Sequence, residues 1–417
     1  MSIRQNFKQV EWLQQSDIQT LLHVLSLDGE EARIVGGAVR NQLLGQPLHD
    51  IDIATTCLPQ QIIARVEKAG FKAIPTGVAF GTVTVVSQSC SYEVTTLRSD
   101  IETDGRHAKV AFGRDWKKDA ERRDFTINAL YCDASGRLYD DVGGLDDIAS
   151  RTVRFIGIAE NRICEDYLRI LRFFRFFAWY GEGRPDAQGL KACVCLKHGL
   201  QKLSSERVWG EMKKLLTALD PTRALLWMRQ SGILTCIFPE TEKWGIDAIH
   251  ALVKAEQDLG WKIDPLLRLE SLLPSDPTRL HKMAQRLRLS NKEARRLKEW
   301  AELETISQNC SENFVQRLIY FHGRQPVLDQ LSFSIAASHV DAFEKSGVSQ
   351  KAENYIRFYQ LAQNWQIPTF PVNGKDLVQK GLTKGVSLGK KLKELEKIWI
   401  EGGFSMDRSA LLEKIDL

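Results

Sequence analysis

The feature that most constrains the fold is a change of texture near residue 155. Before it, short runs rich in Val, Ile and Thr alternate with glycine turns: ARIVGGAV (32–39), HDIDIAT (49–55), GTVTVVS (81–87), YEVTTLR (92–98) and INALYCD (127–133). Alternation of period two bounded by glycine reads as strands, and stretches opened by residues such as Pro59 read as helices between them. After residue 155 strands nearly vanish. Apolar residues recur at helical spacing over 163–179, 205–217, 221–230, 291–305 and 387–400, with Pro, Gly or Ser at the breaks. The sequence therefore predicts an α+β head with a small mixed sheet, followed by an all-α extension.

A chain of 417 residues has room for about two to four domains. The expected divisions are a head (1–155), a helical neck (156–225), a helical body (226–345) and a helical tail (346–417). Charged residues at 26% and apolar residues at 43% exclude wholesale disorder. The formal charge of +4 carries no whole-chain mark of nucleic-acid binding, but it is a sum over unlike parts. Residues 1–150 hold 16 Lys and Arg against 21 Asp and Glu, a net −5, and the remainder holds 41 against 32, a net +9.

No uninterrupted apolar run approaches a membrane span, and the first residues lack the apolar stretch of a signal peptide. The eight cysteines are scattered rather than spaced as a disulfide framework, so a reduced, cytoplasmic setting is expected. Cys193, Cys195 and His198 come nearest to a metal cluster. They have no second ligand pair at zinc spacing, and ordinary buried thiols are the plainer reading.

Gly36-Gly37 follows a predicted strand and precedes a helical pattern, and Arg40 lies one turn on. Glycines there let backbone N–H groups approach a phosphate, the helix N-terminus adds positive potential, and Arg40 can hold a further oxygen. Alone, such a pair is a tight turn. Asp50-Ile51-Asp52-Ile53 follows, and on a strand residues i and i+2 point the same way. Two carboxylates that close repel each other unless a cation lies between them, and Mg²⁺ prefers carboxylate oxygens completed by water and phosphate. A phosphate-type turn beside paired aspartates favours nucleotidyl transfer.

GGAVRNQLLG followed by HDIDIAT resembles the signature of the nucleotidyltransferase superfamily branch that contains the class II bacterial CCA-adding enzymes and the poly(A) polymerases. The resemblance implies that Gly36, Gly37 and Arg40 meet the phosphates of the incoming nucleotide, and that Asp50 and Asp52 hold the metals of a two-Mg²⁺ site. The family usually carries an acid after the motif arginine, where this chain has Asn41. ERRDFTINAL (121–130) resembles the second motif, with Arg122, Arg123, Asp124 and Asn128 placed for triphosphate and ribose. The glycine turn at 141–147 resembles a third, read either as a head–neck hinge or as a turn that merely ends a strand. Glu93, on the YEVTTLR run, is either a third carboxylate at the metals or a solvated strand residue.

EDYLRILRFFRF (165–176), read as one helix, aligns Glu165, Arg169, Arg172 and Phe176 in a stripe. Asp166 and Arg175 flank it, and Ile170, Phe173, Phe174 and Phe177 face a core. Intrahelical ion pairs on a solvated face account for Glu165 with Arg169. Base chemistry accounts for more. Cytosine and adenine both present an amino donor beside a ring-nitrogen acceptor, whereas guanine and uracil present the reverse order. Asp166 accepting and Arg169 donating would thus select C and A, since a mismatched buried group costs about 1–3 kcal/mol. The resemblance assigns that role to the family's EDxxR motif, with Glu165 orienting Arg169 and with Arg172 and Arg175 near the nucleotide. SSERVWGEM (204–212) resembles a fifth, scaffolding motif.

Residues 75–130 resemble the CCA-adding enzymes more closely than bacterial poly(A) polymerases, whose Gly-Arg-Arg-Phe-like segment is missing here. Arg98 to Trp116, with Asp104, Gly105 and Arg106 at its centre, resembles the family's flexible loop, which CC-adding enzymes lack. The expected activity is addition of CCA to tRNA from CTP and ATP. An enzyme adding only A, or a poly(A) polymerase, is the alternative, and a non-catalytic RNA-binding protein is disfavoured by the intact acids and arginines. The basic stretches 213–216, 292–300 and 390–397, and the glycine-rich 371–392, suit tRNA phosphate contact or plain solvated faces.

Overall fold

The computed structural model describes residues 7–48, 50–87, 90–104, 107–242, 246–345, 350–383 and 385–415, with backbone alone for 100–104, 107–109, 340–345 and 350. Two compact units result, Met1–Pro239 and Glu240–Leu417. The first unit takes in the expected head and neck together with residues 226–239 of the expected body, and the rest of the body and the tail fall in the second.

The first unit opens with α1 (Ser16–Leu25), β1 (Ala32–Val35), α2 (Gly37–Leu44), β2 (Asp52–Thr55) and α3 (Pro59–Lys68). Next come β3 (Lys72–Gly77), β4 (Thr82–Val86), β5 (Ser91–Thr96), β6 (Arg98–Asp104), β7 (His107–Phe112) and α4 (Trp116–Glu121). The head closes with β8 (Leu130–Cys132), β9 (Leu138–Asp140) and α5 (Gly144–Ala149). Seven strands form one sheet in the order β3-β4-β5-β2-β1-β8-β9, mixed because β2 and β5 run parallel while the other pairs are antiparallel. Alternation sets its faces: Ile34, Ile53, Val83, Val85 and Val94 are fully buried, while Asp52, Glu93 and Thr84 share one row on the opposite, open face.

Two expectations change here. The predicted strand at 49–55 starts only at Asp52, because its partner β1 pairs Val35 with Asp52 and then turns away at Gly36, ending the ladder. Asp50 is therefore an exposed lead-in residue and not a strand neighbour of Asp52. The segment expected as a flexible loop is instead a two-stranded hairpin, β6 with β7, registered from Arg98 opposite Phe112 to Asp104 opposite His107. Asp104 ends β6, and Gly105 and Arg106 lie outside the described residues.

The first unit continues with α6 (Ala159–Glu165), α7 (Leu168–Tyr180), α8 (Ala187–Leu196), α9 (Ser205–Leu216), α10 (Thr222–Gln230) and α11 (Ile233–Ile237). The single helix expected over 163–179 is thus two. Asp166 adopts extended backbone (φ −155°, ψ 106°), ending α6, and its carboxylate then accepts the N–H of Leu168 at 3.0 Å, starting α7. The apolar face of α7 behaves as its periodicity requires: Ile170, Phe173, Phe174 and Phe177 are buried, each worth roughly 1.5–3 kcal/mol in removed apolar surface. Phe173 stacks on Phe155 (5.4 Å, 12°), and Phe125 of the head packs against Phe155, Phe173 and Phe176. Asp147, from the third glycine turn, is buried and accepts from Thr126 Oγ1 at 2.6 Å and from Arg154.

The second unit is helical: α12 (Asp247–Leu259), α13 (Pro265–Glu270), α14 (Pro277–Arg286), α15 (Asn291–Ala301), α16 (Glu312–His322), α17 (Arg324–Lys345), α18 (Gln350–Asn364), α19 (Gly374–Gln379), α20 (Val386–Glu401) and α21 (Arg408–Leu412). One core gathers Val315, Leu318, Leu331 and Phe358, and another gathers Leu377, Leu395, Trp399 and Leu411. Within the basic stretch 292–300, Arg296 turns inward. It holds Asp329 through two bonds at 2.7 Å and Asp264 at 2.6 Å, so that arginine serves the fold. No described helix is long and apolar enough to cross a membrane.

Candidate active site

A cavity of about 490 Å³ opens between head and neck within the first unit. Head residues Gly36, Gly37, Arg40, Asp52, Arg122, Arg123, Asp124 and Asn128 line it, and neck residues Asp166, Leu168, Arg169, Arg172, Phe176 and Arg207 face them. Six arginines stand against three aspartates on its walls, so the space is positively biased and suits a polyanion.

The glycine turn is built for close approach. Gly36 has φ +71°, a conformation that L side chains rarely adopt, and an added Cβ would sit 3.4 Å from the Asn128 carbonyl. Its N–H bonds Leu130 O at 3.1 Å, tying the turn to β8, and its carbonyl accepts the N–H of Arg40 as α2 begins. Arg40 is buried with neutral partners: Asn128 Oδ1, Asn41 Oδ1 at 2.9 Å and the Tyr180 hydroxyl at 2.9 Å. Burial works against its charge. A buried guanidinium held by amides and a phenol, in place of a carboxylate, is stabilised when an anion arrives.

Asp52 and Glu93 are registered neighbours across β2 and β5. Burial, then the Glu93 charge, then Asp50 push the Asp52 carboxyl up to about 6, with Arg123 and Arg40 pulling the other way. Asp50 and Glu93 both lie outside the cavity lining. Among the described residues no three His, Cys, Asp or Glu side chains form a ready ligand cage. Mg²⁺ does not need one: it takes one or two carboxylates and fills its shell with water and substrate phosphate. The donor chemistry here fits that demand, since a cation would relieve the crowding that raises Asp52.

The arginines have fixed seats. Buried Asp119 on α4 accepts from Arg122 (2.6 and 2.8 Å), Arg123 (3.0 and 3.3 Å) and the Tyr131 hydroxyl (2.7 Å). Asp124 links head to neck. It accepts from Arg172 Nε at 2.7 Å and from Asn128 Nδ2 at 2.9 Å. Burial pushes its carboxyl upward, but Arg172 and Asn128 outweigh that and hold it below the usual range. In the neck, Glu165 joins Arg162 and Arg169, while Asp166 accepts from Arg207 at 2.6 Å. Arg175 does not reach the cavity and pairs with buried Glu211 at 2.7 Å.

Sequence reasoning left out Asp119, Tyr180, Arg207 and Glu211. Asp119 was findable, since it lies three and four residues before Arg122 and Arg123, which follow directly on the end of α4. Arg207 and Glu211 sit 41 and 36 residues from the side chains they hold, and nothing local marks them.

Residues 32–154 match the family model described as the poly A polymerase head domain, and residues 185–244 match one described as a probable RNA and SrmB-binding site of polymerase A. The mitochondrial CCA tRNA nucleotidyltransferase 1 of Mus musculus is 33% identical over 95% of this chain and 89% of its own length. The CCA-adding enzyme of Streptococcus sanguinis is 30% identical over 96% and 98%. In structure, the Bacillus stearothermophilus CCA-adding enzyme in complex with CTP superposes with a TM-score of 0.73 at 26% identity, covering 95% of each chain.

Proposed function

The chain belongs to the family of CCA tRNA nucleotidyltransferases, and from that premise we propose how its own residues divide the work. The enzyme adds the 3′-terminal CCA to tRNA from CTP and ATP. The observation that supports the division is the single cavity whose head wall carries a glycine turn and Asp52, and whose neck wall carries Asp166 and Arg169.

On the head wall, Gly36, Gly37 and Arg40 bind phosphate oxygens, and Arg122 and Arg123 take the remaining triphosphate charge. Asp124 and Asn128 orient the nucleotide. Nucleotidyltransferases of this family are typically metal-dependent, and Asp52, with Asp50 and Glu93 alongside, would hold two Mg²⁺ ions. Magnesium, when bound, supplies charge neutralisation at the α-phosphate and at the primer 3′-hydroxyl. That hydroxyl attacks the α-phosphate and pyrophosphate leaves, while the arginines stabilise its growing charge. On the neck wall Asp166 accepts from the exocyclic amine and Arg169 donates to the ring nitrogen, so cytosine and adenine fit and uracil and guanine do not. Glu165 orients Arg169, and Arg172 and Arg175 brace the wall through Asp124 and Glu211.

Neck residues 156–225 thus choose the base, while the body (226–345) and tail (346–417) grip tRNA, the tail through basic stretches such as 390–397. A cytoplasmic setting suits eight cysteines that are all free thiols. The test offers purified enzyme tRNAs ending before C74, C75 or A76 with each nucleoside triphosphate in turn. Ordered incorporation of C, C and A, with UTP and GTP refused, is expected; A alone, or untemplated A runs, would overturn it.

A further inference from the structure

An aspartate and an arginine three positions apart on a helical face ordinarily pair with each other. Asp166 and Arg169 do not, among the described residues: what joins them is a backbone bond, Arg169 N–H to Asp166 C=O at 3.0 Å. Each side chain instead turns to a partner outside the pair. Arg207 of α9 donates to Asp166 Oδ2 at 2.6 Å, and the Leu168 N–H holds Oδ1 at 3.0 Å. Arg169 is drawn the other way, to the Glu165 carboxylate and to the Arg162 carbonyl at 2.9 Å. The arrangement matters because a pair closed on itself reads nothing: its donor and acceptor would already be satisfied.

We propose that Arg207 is the positioning residue that keeps the selecting pair open. The Asp166 side chain is only 19% exposed and needs a counter-charge. Arg207 provides one from another helix by holding Oδ2, leaving the carboxylate's remaining lone pairs free for an exocyclic amine. Without it, the guanidinium three residues along the chain becomes the available partner, and the pair collapses. Glu165 does the matching service for Arg169. The inference rests on Asp166 and Arg169 being the base-selecting pair.

The test compares Arg207→Met and Arg207→Lys in the full chain, with tRNA lacking its terminal CCA, by kcat/KM for CTP and for UTP. The ratio of the two is independent of how much protein is folded, so it survives a destabilised variant. Arg207→Met should lower that ratio by about tenfold or more, with Arg207→Lys keeping most of it. An equal loss for CTP and UTP would make Arg207 a phosphate contact or a brace and overturn the proposal. Asp166→Ala is the reference arm. If it leaves the ratio unchanged, the selecting pair itself is misassigned; if it lowers the ratio while Arg207→Met does not, the role of Arg207 alone falls.

Discussion

The two units each bury a knot of charge, and the knots are opposites. In the first unit, six arginines and three aspartates line an open cavity, and each carboxylate of the neck wall and of Asp124 is matched by a guanidinium. In the second, Asp264, Glu270 and Asp329 surround Arg296, and both oxygens of fully buried Glu270 lack a hydrogen-bond partner. Burial and the neighbouring Asp329 charge push the Glu270 carboxyl well above its ordinary range, disfavouring its charged form. A surplus of positive charge facing an opening is a site awaiting an anion. A closed cluster of acids around one arginine, in which burial disfavours further ionisation, is structure.

The sharpest way to break this contrast is Asp52→Asn. Nucleotide incorporation should fall on the order of 10²–10³-fold, because the carboxylate proposed to hold Mg²⁺ at the reacting phosphate is lost. The thermal midpoint should not fall, since burial and Glu93 already disfavour that charge. A parallel loss of melting temperature would mean that Asp52 serves the fold. Next is Arg172→Met, which strands Asp124: a destabilisation of about 3 kcal/mol is expected in chemical unfolding. Adding Asp124→Asn should recover part of it, and no recovery would mean that the two side chains are not coupled.

Glu270→Gln tests the other knot. Its folded carboxyl titrates above the unfolded one, so the native chain holds the extra proton, and stability drains as pH rises above about 4.5 until the folded value is passed. The glutamine variant should lack that slope and melt at an equal or higher temperature at neutral pH. Melting well below the parent at pH 7 would show the carboxylate to be stabilising. The smallest effect belongs to the solvated pair of Lys298 on α15 and Glu302 at its C-cap: Lys298→Ala should stay within about 0.5 kcal/mol, checked by the same unfolding curves.

Much of this was readable in the chain. The strand alternation, the glycine turn and the apolar face of α7 are local patterns, and their physics is local too. The break at Asp166 was hidden because it costs little rotation: Asp166 ends one helix and caps the next, so Glu165 still meets Arg169 as though the helix ran on. The same blindness hid Arg207, whose meaning depends on a contact 41 residues away. The hairpin at 98–112 failed for another reason: charged residues interrupt its alternation, and the pattern reads as loop although the backbone pairs.

One consequence of the break at Asp166 concerns how this enzyme could acquire a different alphabet. The residue proposed to read the base also stops one helix and starts another, through a side-chain oxygen on the Leu168 N–H. Most replacements would spoil the turn before they altered preference. Asparagine alone keeps an acceptor for the cap while offering an amide to the base, and it forfeits the charge that Arg207 holds. The evolutionary exit from C and A is therefore a narrow one, guarded by backbone geometry as much as by hydrogen bonds.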